Sequence, residues 1–63
     1  MRIDRVKLVA ELTRQDMTQK RLAELAGVSR ATVNYIKCGK NCTAEVGQRI
    51  AKALGVDVTD ILE

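Results

Sequence analysis

Apolar residues in this chain recur at helical intervals, and short polar or glycine-containing breaks divide them into five runs. Asp4 is a good N-cap, and Val6, Leu8, Val9 and Leu12 give a first helix, to about Arg14, one apolar face. Gln15-Asp16 ends it and Met17 turns inward. Thr18 caps a second helix, Gln19 to Ala26, with Leu22, Ala23 and Ala26 on one side. Gly27 stands where a helix needs a residue of positive φ to stop, and Val28 plugs the turn into the core. Ser29 caps a third helix, Arg30 to about Cys38, whose inward positions are Val33 and Ile36; Gly39 closes it as Gly27 closes the second. Thr43 caps a fourth, Ala44 to Leu54, which buries Val46, Ile50, Ala51 and Leu54 and ends at Gly55. Asp57, with Asp60 three residues on, caps a last short helix from Val58 to about Leu62. Val56, Ile61 and Leu62 then return to the core. The pattern predicts an all-α domain of five short helices with no strand.

Composition narrows this picture. Sixty-three residues make one small domain, and the 46% hydrophobic content argues for a folded chain rather than a disordered one. Tyr35 is the only aromatic residue, so the core must be built from Leu, Ile, Val and Ala. No apolar run approaches the roughly 18 residues of a membrane span, and MRIDRVK lacks the apolar stretch of a signal peptide. A soluble cytoplasmic protein is expected. Cys38 and Cys42 are too few for a disulfide scaffold, and without any His they offer no zinc site. A bridge between them would require the Gly39-Lys40-Asn41 turn to bring them together; reduced thiols are the default in the cytoplasm.

Net charge is +3, and its distribution says more than its size. Residues 14 to 40 hold six cations against two carboxylates, a balance of +4, whereas residues 41 to 63 hold two against four, a balance of −2. Positive charge thus collects on the second and third helices, as phosphate binding requires. At about 100° per residue, Val33 and Ile36 set the buried side of the third helix. Ala31, Asn34, Tyr35 and Cys38 then fall opposite, with Arg30 at the flank of the first turn. A face needing only solubility carries Glu and Lys. Arg and Asn instead suit bidentate contacts to guanine and adenine edges, and Ala can meet a thymine methyl. Tyr35 could alternatively cover the edge of the core.

These spacings, taken in order, resemble the helix-turn-helix of phage repressors and Cro proteins, the lambda-repressor-like family of Cro/C1 type. Gln19 to Cys38 carries the motif: Ala23 where the two helices touch, Gly27 at the turn, Val28 as the plug, and Val33 and Ile36 behind the recognition helix. Gly39-Lys40 matches the glycine-then-basic step after that helix, and IAKALGVDVTDIL at 50–62 is similar to the family's closing segment. The resemblance covers residues 6–62. It implies a five-helix DNA-binding domain in which Arg30, Ala31, Asn34 and Tyr35 meet bases. It likewise implies that Thr18 and Gln19, Ser29 and Thr32, and Lys40 and Asn41 hold backbone phosphates.

The expected function is a sequence-specific transcriptional regulator, a repressor above all, that binds double-stranded DNA. One such module covers only about 600–1,000 Å² of DNA, so a homodimer on a two-fold site is expected, with half-sites roughly 34 Å apart. The fourth and fifth helices, with exposed apolar residues such as Val58, are candidates for the pairing surface, as is Leu25, expected outside the core. The competing reading is a protein-interaction module of the same fold, such as an antitoxin-like adaptor. An enzyme is not expected. There is no His, neither Cys has a basic partner at catalytic spacing, and no Gly-rich phosphate loop follows a strand. No cofactor, metal or small-molecule ligand is implied.

Overall fold

A computed structural model describes all 63 residues. The chain forms four α-helices, α1 (Arg5–Arg14), α2 (Gln19–Ala26), α3 (Arg30–Lys37) and α4 (Ala44–Leu54), followed by a 3-10 turn at Val58–Asp60. Each begins on a residue whose side chain accepts a free amide of the first turn. Asp4 accepts from Val6 and Lys7, Thr18 from Arg21, Ser29 from Thr32, Thr43 from Val46 and Asp57 from Thr59. Without these acceptors the first-turn amides would be satisfied by water alone, at a cost of about 1 kcal/mol per cap.

The four helix ends share one geometry. A residue in the left-handed region follows the last turn: Asp16 at φ 52°, Gly27 at 71°, Gly39 at 88° and Gly55 at 71°. The amide of the next residue then reaches back to a helix carbonyl, from Met17 to Leu12, Val28 to Ala23, Lys40 to Tyr35 and Val56 to Ala51.

The core is aliphatic throughout. Ile3, Leu8, Leu12, Leu22, Ala23, Ala26, Val33, Ile36, Ile50, Ala51, Leu54 and Ile61 are buried, and no polar side chain is. Met17, Val28, Cys42, Val46, Val56 and Val58 pack partly against them.

Three expectations need correction. The fifth helix is one 3-10 turn, because Ile61 must swing back into the core immediately after Asp60. The expected capping box between Asp57 and Asp60 is nevertheless formed. In α1 the buried stripe is Leu8 and Leu12; Val6 is 71% exposed and Val9 38% exposed. Val6 lies about 200° around the helix from Leu8, so one helix cannot bury both. Val58 is half-buried against the core rather than free on the surface.

The segment before α1, to which the hydrophobic pattern assigned nothing, is part of the fold. Ile3 is fully buried and forms an isolated antiparallel bridge with Leu62.

Candidate nucleic-acid interface

α2 and α3 meet at the Gly27 turn. The Gly27 backbone is left-handed at φ 71°, a conformation that favours glycine. Val28 follows and packs partly against the core. Behind α3, Val33 and Ile36 are fully buried and hold the helix to the body of the protein.

The front of α3 is open. Arg30, Ala31, Asn34 and Tyr35 are all exposed, and Tyr35 at 55% exposure does not cap the core. Ala31 stands nearly opposite the buried pair, so the most forward point of the helix is also its smallest side chain, which allows close approach to a partner. Cys38, the C-cap, shares that direction and is a free, exposed thiol. Ser29 and Thr32 hydroxyls hydrogen-bond to each other at 2.9 Å while Ser29 accepts the Thr32 amide. The amides of Arg30 and Ala31 keep no partner within the chain, nor do those of Gln19 and Lys20 in α2. Both helix N-termini therefore present free donors that suit an anion.

Electrostatics separate this face from the rest of the surface. Four ion pairs exist: Arg2–Glu63, Glu11–Arg14, Arg21–Glu24 and Glu45–Arg49. None involves α3. No Asp or Glu occurs between Glu24 and Glu45, a stretch that holds Arg30, Lys37 and Lys40. Those three cations have no carboxylate partner in the fold.

All ten residues expected at the interface sit on the N-termini of α2 and α3, the front of α3, or the turn after it. Thr18 and Gln19 open α2, with Thr18 exposed and Gln19 half-buried; Lys40 and Asn41 are exposed just beyond Gly39. Sequence reasoning missed Lys37. Its side chain is half-buried in the furrow between α1 and α3, beside Arg5, Val6 and Val9 at one end and Thr18 and Gln19 at the other. Only its lack of an acidic neighbour in sequence hinted at this, since the furrow exists only once α1 is docked.

A family model described as Helix-turn-helix matches residues 6–61. The chain belongs to that helix-turn-helix family, of the Cro/C1 type. Membership of this family implies a DNA-binding regulator. Among curated proteins there is no match. Two solved structures of PhpD, one described as native with cadmium atoms and the other as complexed with cadmium and hydroethylphosphonate, superpose with a TM-score of 0.85 at 24% identity. They cover all of this chain, which spans 14% of theirs, so the likeness is one of fold. No helix is long and apolar enough to cross a membrane.

Proposed function

We propose that this protein is a sequence-specific transcriptional regulator, a repressor, that seats α3 in the major groove of double-stranded DNA. One observation carries the reading: α3 is clamped from behind by Val33 and Ile36 while its front offers Arg30, Ala31, Asn34 and Tyr35 with no ion pair to a carboxylate. Arg30 and Asn34 read base edges, Ala31 allows close approach, and Tyr35 takes the next base or backbone position. Thr18, Gln19, Ser29, Thr32, Lys40 and Asn41 hold phosphates on either side. The protein acts by occupying a promoter in the cytoplasm and performs no catalysis.

Two copies bind one two-fold site. The groove between α4 and the 3-10 turn, about 670 Å³ and lined in part by Ala51, Lys52, Val56, Asp57 and Val58, supports this arrangement. Lys52 and Asp57 line this groove with no ion-pair partner within the chain, which leaves both free to pair with a second copy.

A second reading, a protein-interaction or antitoxin-like module, is favoured by the exposure of Val6 at 71% and Leu25 at 46%. Titration with random-sequence duplex at about 50 and 200 mM salt separates the two, because phosphate binding weakens steeply with salt. No binding at either concentration overturns the regulator reading. Selection from a random duplex library then yields the operator, and symmetric selected sites are the expected result for a dimer.

A further inference from the structure

Residues 1–4 lie outside the segment that matches the family, yet they are bonded on both edges. Along one edge Ile3 pairs with Leu62, the Asp4 amide donates to the Ile61 carbonyl at 2.7 Å, and the Glu63 amide donates to the Arg2 carbonyl at 3.2 Å. Along the other, Met1 and Cys42 exchange two hydrogen bonds of 2.8 Å, the Cys42 amide to the Met1 carbonyl and the Met1 nitrogen to the Cys42 carbonyl. Arg2 joins the two edges. Its Nε donates to the Gly39 carbonyl at 3.2 Å and lies 3.3 Å from a Glu63 carboxylate oxygen. Ile3, fully buried, pins the strip to the core.

We infer that this strip is a strap that sets the turn after α3, with Arg2 as its positioning residue. Gly39 and Cys42, the two ends of the turn, are tied to residues 1 and 2, while the Lys40 and Asn41 side chains between them bond to nothing in the chain. The turn is therefore held at its ends and free at its crest. Such an arrangement lowers the ordering cost of gripping a phosphate, because the backbone is already in place when DNA arrives. Arg2 itself is paired with Glu63, so it adds little net attraction for DNA and acts through Lys40 and Asn41. This inference rests on the proposed phosphate role of Lys40 and Asn41.

The test compares the natural chain with Arg2→Ala, Arg2→Lys, Lys40→Ala and the Arg2→Ala/Lys40→Ala double variant. Binding to a random-sequence duplex is followed by fluorescence anisotropy across a salt series, and backbone amide exchange is followed by NMR. Arg2→Ala should weaken binding roughly three- to tenfold with an unchanged salt slope, since no phosphate contact is lost. Arg2→Lys, which keeps a donor for Gly39 and a charge for Glu63, should recover part of that loss. The double variant should lose less than the sum of the two single losses, because part of the effect of Arg2 runs through Lys40. Exchange of the hydrogen-bonded amides of Lys40 and Cys42 should quicken in Arg2→Ala while that of α2 and α4 stays the same. A salt slope shallower by about one makes Arg2 a direct phosphate ligand and overturns the strap. Additive losses in the double variant, or unchanged exchange in the turn, also overturn it. If Lys40→Ala binds as tightly as the natural chain, the phosphate reading falls and the strap's part in binding falls with it. An effect of Lys40→Ala with none from Arg2→Ala removes the strap alone.

Discussion

α2 and α3 are both eight residues long, open on a hydroxyl cap and close through a left-handed glycine, yet their outer faces differ in kind. On the outer face of α2, Arg21 and Glu24 pair at 3.3 Å one turn apart, with Lys20 unpaired beside them. That of α3 carries no acid and no ion pair. Their closing turns diverge as well. After Gly27 the next residue, Val28, goes to the core, as Met17 and Val56 do after α1 and α4. After Gly39 the same backbone geometry delivers an exposed Lys40. Folding needs alone account for the closing turn of α2. At α3 the backbone obeys the same rules while the outward side chains serve a ligand.

The largest test of that division is on stability. Leu22 of α2 is fully buried, so Leu22→Ala should cost about 2–5 kcal/mol, enough to unfold much of a domain this small. Asn34→Ala on the front of α3 should stay within about 0.5 kcal/mol of the natural chain. Urea denaturation measures both. A comparable loss from Asn34→Ala would mean that the α3 front supports the fold, and the distinction would break.

DNA affinity supplies the converse comparison. Arg30→Ala should cost about 1–3 kcal/mol on the selected site and relax base choice there. Arg21→Ala, which removes only an exposed ion pair, should leave base preference alone and change stability by no more than roughly 1 kcal/mol. Competition between selected and random duplexes reads the difference. Equal losses for Arg30→Ala on both would reduce Arg30 to a phosphate contact.

How far these roles could be read from the chain depended on how local their causes are. Capping is local, so Asp4, Thr18, Ser29 and Thr43 mark the four helix starts that the structure keeps. The front and back of α3 were legible too, because two buried positions one turn apart orient the whole helix. Burial along α1 was not, since four apolar residues there exceed what one stripe can hold and the docking of α3 and the chain ends decides between them. Ile3 gave no periodic signal, because a segment of a few extended residues is too short to have one. Asp16 takes the left-handed role that glycine fills at the other three ends, and nothing in its neighbours marks it for that. Lys37 was visible as a cation but not as a neighbour of Gln19, which lies across the furrow from it.

Lys40→Ala offers a finer cut, between contacts that specify and contacts that hold. Binding should weaken by a similar factor on every duplex, with the salt slope falling by about one. Loss confined to the selected site would move Lys40 to the bases. An unchanged slope would take the outward turn out of the interface and leave α2 and α3 closing for the same reason.

Acid divides the two regions most gently. The Thr59 amide, and then its hydroxyl, hold the Asp57 carboxyl below its ordinary value; the Arg14 guanidinium does the same for Glu11. A lowered folded value means that each group contributes stability above its unfolded pKa, near 4, and loses it as pH falls through the folded one. The melting temperature should therefore decline below about pH 4, and Asp57→Asn should flatten part of that decline. Both carboxylates belong to the scaffold, on α1 and at the 3-10 turn. The stretch from Leu25 to Ala44 has neither a carboxylate nor a His to change charge as pH falls. DNA affinity at fixed salt should thus stay level from about pH 8 to pH 5, where the fold is still intact. A marked change in affinity across that range would place a titrating group against the DNA and contradict an interface made from Thr18, Gln19, the α3 face and the turn after it.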